Sequence, residues 1–261
     1  MILDTSRVYG GGASEEFIGN EGLSSEFDII TKARMGLVPG GASKEGIFKS
    51  WRDSEDALKV KKVKYYLLHV PDETTPISET MEGIQALYLS GHFEQFGLSN
   101  FSPSQVQECH AYMSKHNYIL PTVYQSIYSL CTRRNESTLF PLLRKLNISI
   151  QAYSALGSGF LTRTPDQIRA GEGNFDSATV LGRILRDMYG GEKYLSFLKD
   201  FGKLGSQLRE VVEEIKKGPL EDWVVERLDE MWRDVEEEAP EDNFRTFTKL
   251  VKAGLLSGTT H

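Results

Sequence analysis

Short apolar runs alternate with longer amphipathic stretches from the start of the chain to Ala155. This alternation is typical of successive βα units around a parallel sheet, and it predicts an α/β fold. Six strands are visible, whereas a closed parallel barrel has eight. The predicted strands are Ile2–Asp4, Asp28–Thr31, Tyr65–Val70, Phe93–Ser99, Thr122–Ile127 and Ser149–Ser154.

Helical stretches separate the strands, and several begin at a Ser, Asp or Pro that can start a helix. After Ala155 the pattern changes to a Gly-rich loop, a polar insertion that runs to Gly173, and helical sequence interrupted by Pro219 and Pro240. In this late part Tyr189, Glu192 and Tyr194 could line a substrate pocket, but a solvated helix is the expected role for each. The predicted helices between the strands are Ser14–Ile18, Glu55–Lys62, Ser78–Ser90, Ser104–Lys115 and Glu136–Leu146.

Length and charge narrow the class of protein. A chain of 261 residues with 39% hydrophobic content suits one α/β barrel or two smaller domains. The net charge of −7 argues against a nucleic-acid binder, which would need a basic surface to neutralise phosphates. Much of the acidity lies in the last third, where a solvated helix face is expected at Glu213, Glu214, Glu236, Glu237 and Glu238.

The two cysteines, Cys109 and Cys131, show no short metal-type spacing, so we expect free thiols, a reducing compartment and no metal site. No basic segment followed by a long apolar stretch opens the chain, and no apolar run approaches the length that spans a bilayer. These features predict a cytoplasmic protein without a membrane partner.

Four residues near strand ends could together form a proton donor for a carbonyl group: Asp4, Tyr9, Lys32 and His69. A tyrosine phenol titrates at about 10, so it needs a neighbouring cation to favour the phenolate that remains after the proton has left. Lys32 is the candidate cation, and a half-buried lysine keeps its proton best beside a carboxylate such as Asp4. The carboxyl ends of parallel strands are where such barrels place their active sites.

The next strand ends carry groups suited to a planar ring. Ser99, Asn100 and Gln125 can donate to and accept from a carboxamide, and Tyr153 could stack on an aromatic ring. Taken singly, Asn100 is a turn residue and Tyr153 a core residue; taken together the set fits nicotinamide. The segment 154–159 has little side-chain bulk, so its backbone N–H groups could approach a pyrophosphate, although it is not a Rossmann fingerprint.

With these residues the chain resembles the aldo-keto reductases, in particular the aflatoxin-aldehyde-reductase-like branch. The resemblance implies one domain over residues 1–261, a (β/α)8 barrel that binds NADP(H) without a Rossmann domain, and reduction of a small-molecule aldehyde or ketone. It covers nearly all of the chain, and the matching segments are LDTSRVYGGGASEE, IITKAR, YYLLHVPD, FGLSNFSPSQV, PTVYQSIYSL, LFPLLRKLNISIQAYSALGSGFLT and GPLEDWV.

The resemblance also implies roles. Tyr9 would be the general acid, Lys32 the cation that assists it, Asp4 the partner of that lysine, and His69 the group that orients the carbonyl. The chemistry implied is hydride transfer from the nicotinamide with proton transfer from Tyr9. The cofactor contacts implied are Asp4, Ser99, Asn100, Gln125, Tyr153, Ser154, Ala155, Leu156, Gly157, Ser158, Gly159, Phe160, Leu161, Thr162, Arg183 and Gln207.

Departures from the family pattern are equally informative. The sequence lacks the first strand and helix before the DT motif and the eighth strand before the last helix, so we expect an incomplete barrel with one two-strand gap. Val211 stands where an Asn is expected, and Thr164 where a Lys is common. The gap weakens the adenosine side first, and its exposed sheet edges favour self-association.

Three interpretations follow. The first is an NADPH-dependent carbonyl reductase that works despite the gap. The second is a catalytically impaired relative that senses a cofactor or binds a partner, since this scaffold can change its job. The third is that the sequence is an incomplete gene model of an ordinary reductase. The four matched catalytic residues favour the first, and the missing strands favour the second.

Overall fold

A computed structural model of the chain describes residues 1–215 and 222–253. Its sheet has six strands, as predicted from the apolar runs. The first and fourth predicted strands are confirmed at both ends, the third is shifted by two residues at both ends, and the others differ by one or two residues at one end. The strands are β1 (Ile2–Asp4), β2 (Asp28–Ala33), β3 (Val63–Leu68), β4 (Phe93–Ser99), β5 (Pro121–Ile127) and β6 (Ser149–Tyr153).

The six strands lie in chain order, β1-β2-β3-β4-β5-β6, and each pair from β1 to β5 is parallel. Such an arrangement, with a helix between most successive strands, is an incomplete (β/α)8 barrel and confirms the predicted fold class. Within the described ranges, β1 and β6 end the sheet. Because β1 pairs with β2 alone there, its other side is a sheet edge.

Helices occupy most of the remaining chain. The helices are α1 (Ala13–Asn20), α2 (Lys44–Leu58), α3 (Ile77–Leu89), α4 (Pro103–Lys115), α5 (Asn135–Thr138), α6 (Phe140–Lys145), α7 (Pro165–Ala170), α8 (Val180–Tyr189), α9 (Glu192–Ile215), α10 (Asp222–Val235) and α11 (Asn243–Lys252).

Two predicted helices were wrong in their bounds. The helix predicted at Glu55–Lys62 begins instead at Lys44, because the Ser43 side chain accepts the backbone N–H of Gly46 and caps its first turn. It ends at Leu58, because Lys59 takes a left-handed conformation with φ of 56°. The single helix predicted over Glu136–Leu146 is two short helices, α5 and α6, separated at Leu139.

The described chain divides into two compact units. The first comprises Met1–Ser126 and Thr138–Gln151. On one face of its sheet, Ile30, Leu67 and Val123 form an apolar cluster. Because side chains alternate along a strand, the residues two positions further on, Lys32, His69 and Gln125, follow on the same face. That face carries the candidate site.

The second unit comprises Ile127–Ser137 and the described part of 152–260. Tyr189 and Tyr194, which were expected on a solvated helix, are buried in its core, and the Tyr194 hydroxyl donates to the carbonyl oxygen of Cys131 at 3.0 Å. Phe160 stacks on Tyr189 with ring centroids 5.2 Å apart. Because aromatic side chains bury a large area, they account for much of this core. Glu192 is exposed.

The acidic residues of the last third lie partly outside the described side chains. Glu236, Glu237 and Glu238 are exposed, but they form a turn after α10 and not the helix face that was expected. The side chains of Glu213 and Glu214 lie outside the described residues.

Cys109 and Cys131 are both free and buried. Burial raises the pKa of the Cys109 thiol to about 12 and that of Cys131 to about 11. Among the described residues, no helix combines the length and hydropathy needed to cross a membrane.

Candidate active site

The centre of the site is an ion pair between β2 and β1. The Nζ atom of Lys32 lies 2.9 Å from Oδ1 and 3.0 Å from Oδ2 of Asp4, and it donates a third hydrogen bond to the carbonyl oxygen of Thr5 at 2.9 Å. All three donors of an ammonium group are therefore used. Lys32 is 1% exposed, whereas the Asp4 side chain is 42% exposed because it closes the strand at the sheet edge.

Tyr9 and His69 lie beside this ion pair. The Lys32 nitrogen is 5.0 Å from the centre of the Tyr9 ring, within the range of a cation–π contact. The Tyr9 and His69 rings meet edge to face, with centroids 5.9 Å apart and planes at 85°. The structure thus brings together the four residues that the sequence predicted, in the first unit.

His69 is electrically neutral at physiological pH. Burial, and then the positive charge of Lys32, lower the pKa of His69 to about 3. Its Nδ1 atom lies 3.2 Å from the Ser6 hydroxyl. If that hydroxyl donates, the ring proton sits on Nε2, which can then donate to a ligand oxygen.

The loop that carries Tyr9 is fixed by Arg7. Its guanidinium donates to the carbonyl oxygen of Gly12 at 3.2 Å and to the Glu16 carboxylate at 3.2 Å. Gly12 has a left-handed φ of 105°, and a Cβ at this position would collide with the Arg7 guanidinium. The glycine run that follows Tyr9 is therefore a closely packed turn at Gly12.

Glu15 connects the same loop to strand β2. Its side chain is fully buried, contacts the Thr31 hydroxyl of β2, and lies 3.5 Å from Nε of Arg7. Burial raises the pKa of Glu15, while hydrogen bonds from Thr31 and Ser54 and the charge of Arg7 oppose the rise. The sequence analysis missed Arg7 and Glu15; their position beside Tyr9 was the signal that could have identified them.

The predicted carboxamide contacts also come together. The side-chain nitrogen of Asn100 donates to the Ser99 hydroxyl at 3.2 Å and to the carbonyl oxygen of His69 at 2.9 Å. Ser99 in turn donates to the carbonyl oxygen of Gln125 at 3.1 Å. Asn100 has a left-handed φ of 62°, which asparagine tolerates better than most residues. One turn residue thus connects β4 with the end of β3.

Gln125 links the predicted carboxamide-binding residues, Ser99 and Asn100, to the ion pair of Lys32 and Asp4. Its Nε2 atom donates to Oδ1 of Asp4 at 2.9 Å and to Oε1 of Gln151 at 3.1 Å. The contact with Asp4 joins β5 to β1, so it crosses the concave face of the sheet. Gln151 was not predicted, although it shares a face of β6 with Tyr153 at a spacing of two residues.

Tyr153 belongs to the second unit, where its ring packs against the apolar core. This packing agrees with the expectation that Tyr153, taken singly, is a core residue. Whether it also stacks on a cofactor ring stays a prediction.

The predicted pyrophosphate loop is a tight turn in the second unit. Ser154, Gly157, Ser158 and Gly159 all have left-handed φ angles. The backbone N–H groups of Gly157 and Gly159 donate to carbonyl oxygens of the same loop at 2.7 and 3.1 Å. Fewer backbone donors are therefore available to an anion than the sequence analysis assumed.

Two arginines of the second unit, Arg163 and Arg183, differ in their contacts. Arg163, which was not predicted, donates to the carbonyl oxygens of Gly159 at 3.3 Å and Glu172 at 3.2 Å. Arg183, which was predicted as a cofactor contact, is exposed on α8 and lies 3.5 Å from the carbonyl oxygen of Ser177. The side chain of Gln207, also predicted, lies outside the described residues.

Comparison with known proteins decides the family. The profile of the Aldo/keto reductase family matches residues 1–228, which is most of the chain. The chain belongs to the aldo/keto reductase family. Membership supports carbonyl reduction as the general chemistry and nicotinamide cofactors as the general class.

Individual relatives agree with this assignment. The oxidoreductase sirO of Leptosphaeria maculans is 36% identical over 92% of this chain and 83% of its own length. Aflatoxin B1 aldehyde reductase member 2 of Rattus norvegicus is 27% identical over 91% of this chain and 78% of its own length. A solved glycerol dehydrogenase from Gluconobacter oxydans superposes with a TM-score of 0.67 at 25% identity, covering 92% of this chain and 83% of that one.

Proposed function

We propose that this aldo/keto reductase, as a single domain, reduces an aldehyde or ketone to an alcohol with NADPH as the cofactor. The observation that carries the proposal is the buried Lys32, held by Asp4 and placed beside the Tyr9 ring and a neutral His69. A cation next to a phenol stabilises the phenolate that remains once the proton has been given away. The four side chains therefore suit proton delivery to a carbonyl oxygen.

The first unit also fits the nicotinamide part of the cofactor. Ser99, Asn100 and Gln125 present hydroxyl and amide groups from neighbouring strand ends, next to Asp4. When bound there, NADPH supplies a hydride to the carbonyl carbon. Arg183 is exposed and the side chain of Gln207 lies outside the described residues, so neither predicted contact defines how the adenosine part would bind. The preference for NADPH over NADH therefore rests on the family resemblance.

Each protein group has a distinct task in the proposal. Tyr9, which is 38% exposed, gives its proton to the carbonyl oxygen. Lys32 stabilises the resulting phenolate, and Asp4 keeps the lysine charged. His69 donates from Nε2 to the same oxygen and orients it, a task that suits a ring kept neutral by burial.

Two observations favour the second candidate, a catalytically impaired relative that senses the cofactor. Asp4, the counterion of Lys32, is at the sheet edge with 42% of its side chain exposed, so water screens its attraction for the lysine. Three backbone donors of the 154–162 turn, those of Gly157, Gly159 and Leu161, are also used within the turn. Both features would weaken the site without removing it.

Kinetics with a single variant tests the proposal. The wild type should oxidise NADPH with at least one reactive aldehyde of a broad panel, and Tyr9→Phe should lower kcat about 10²- to 10⁴-fold. NADPH affinity, followed by calorimetry, should stay within about twofold because the phenol hydroxyl is not a cofactor contact. Tyr112→Phe, which changes a half-buried tyrosine on α4 outside the proposed site, is the matched control and should keep wild-type rates.

The two candidates give different results in the same experiment. A sensor would bind NADPH and turn over no aldehyde in the wild type. If the wild type neither binds NADPH nor oxidises it with any aldehyde of the panel, the reductase proposal is wrong.

A further inference from the structure

Three polar side chains from three strands form a row across the concave face of the first unit. Gln151 on β6 accepts from Gln125 on β5, and Gln125 donates to Asp4 on β1. Asp4 in turn accepts from Lys32. The row therefore ends at the ion pair that the proposed reaction depends on.

The chemistry of the acceptors fixes the orientation of the Gln125 amide. An ionised carboxylate can accept hydrogen bonds but cannot donate them, so the Gln125 atom that faces Asp4 must be the nitrogen. The second N–H of that nitrogen points to the Gln151 oxygen. With both N–H bonds used, the atom of the amide that remains for a bound group is Oε1, an acceptor.

We infer that Gln151 is a positioning residue and a determinant of cofactor-ring specificity that acts through Gln125. By accepting the second N–H, it holds the Gln125 amide with Oε1 offered to the ligand and with Nε2 on the Asp4 carboxylate. The inference rests on the proposed function, since it concerns the ring of the cofactor bound beside Asp4. It assigns a role to a residue that touches neither the proposed substrate nor the reacting atoms.

An acceptor oxygen selects for a ligand that can donate. The carboxamide of nicotinamide carries N–H bonds, whereas the acetyl group of a 3-acetylpyridine analogue carries none. A single neutral hydrogen bond is worth about 0.5–1.5 kcal/mol, which corresponds to roughly a twofold to tenfold difference in affinity. Gln151 maintains that difference because an amide held only by its Asp4 contact can rotate about that hydrogen bond and move Oε1 away from the ligand.

The binding test compares two dinucleotides by calorimetry, NADP⁺ and its 3-acetylpyridine analogue. Wild type should bind NADP⁺ about twofold to tenfold more tightly than the analogue. Gln151→Met, which removes the acceptor, should reduce this ratio to below about twofold. Gln151→Glu, which keeps an acceptor oxygen at the same reach, should restore it. An unchanged ratio in Gln151→Met would overturn the inference.

A control variant separates this role from a general loss of stability. Gln85→Met also replaces an amide, since Oε1 of Gln85 accepts the backbone N–H of Ile119 on the helical side of the unit. It should keep the wild-type ratio of affinities. A reduced ratio in Gln85→Met would show that any lost amide acts through stability, which contradicts a positioning role for Gln151.

A second measurement needs no cofactor, so it distinguishes failure of the inference from failure of the proposed function. In NMR spectra of the unliganded protein, the two side-chain amide protons of Gln125 should both exchange slowly with solvent. Gln151→Met should shift one of them upfield and speed its exchange, while the other is retained. If both protons are unchanged, Gln151 does not hold Gln125; if wild type binds neither dinucleotide while the amide protons respond, the cofactor proposal alone has failed.

Discussion

Lys32 is 1% exposed, while the carboxylate of Asp4, its partner at 2.9 Å, leaves 42% of its side chain in contact with solvent. The buried positive charge of Lys32 is thus neutralised by a negative charge that is in contact with water. An ammonium group buried without a counterion would lose its proton or destabilise the fold, so Asp4 matters for stability as well as for the proposed chemistry.

The first prediction concerns this ion pair. Asp4→Asn should lower the free energy of unfolding by about 1–3 kcal/mol, because it leaves Lys32 buried without a carboxylate, although the exposure of Asp4 makes the loss smaller than for a fully buried pair. Urea denaturation at neutral pH measures the change. Glu94→Gln, which removes an exposed partner of Lys62 and Lys64, is the control and should leave stability close to that of the wild type, because solvent screens the pair. Equal losses in the two variants would contradict the role given to Asp4.

The second prediction concerns pH. The pKa of His69 is about 3 in the folded chain against an ordinary value of 6.5, so the unfolded chain binds more protons between these two values. Stability from this group is therefore complete above about pH 6.5 and is lost as the pH falls towards 3. His69→Gln should flatten the pH dependence of the unfolding free energy in that window. His116→Gln, which replaces an exposed histidine just after α4, is the control, and equal flattening in the two variants would contradict the role given to His69.

The third prediction concerns the turn that carries Tyr9. Gly12→Ala combines a φ of 105° with a collision against the Arg7 guanidinium, so it should cost about 1–3 kcal/mol of stability and reduce kcat. Gly40→Ala has a similar left-handed conformation with open space around it, and it should cost only about 1 kcal/mol. Thermal unfolding and steady-state kinetics of the two variants make the comparison. Identical behaviour would mean that Arg7 does not constrain the turn.

The fourth prediction concerns the cysteines. Because burial raises the pKa of Cys109 to about 12 and of Cys131 to about 11, the thiolate fraction at pH 8 is roughly a hundredfold to a thousandfold below that of an ordinary thiol. Native protein should therefore react very slowly with a disulfide reagent such as Ellman's. The same protein in urea should react promptly at both positions. Rapid labelling of a native thiol would show that its element opens easily.

Strand positions were predictable because a buried parallel strand leaves a short apolar run with an abrupt polar end. Phe93–Ser99 was predicted at both limits, since Gly91 precedes the run and Asn100 with Ser102 follows it. The start of α2 was not predictable in this way. Its first turns carry Lys44, Glu45 and Gly46, and the capping contact of Ser43 that starts the helix depends on three-dimensional geometry.

The candidate site shows the same division. Asp4, Lys32 and His69 could be predicted because each stands at or near the end of its own strand. A position at a strand end determines which face of the sheet the side chain is on and that it lies at the carboxyl edge. Gln151 could not be predicted, because its role depends on a hydrogen bond to Gln125 on another strand. Tyr189 and Tyr194 were placed on a solvated helix because nothing in their own helices reveals the aromatic ring of Phe160 that covers them.

The short strand β1 makes one further connection. It is three residues long, pairs with β2 through Leu3 opposite Ile29, and carries Asp4 as its last residue. Transient opening of this strand would move the carboxylate away from Lys32 and disconnect the proton donor from its electrostatic support. Amide hydrogen exchange at Leu3 and Asp4 would thus measure, in the unliganded protein, how often β1 opens and leaves Tyr9 without the support of the Lys32–Asp4 ion pair.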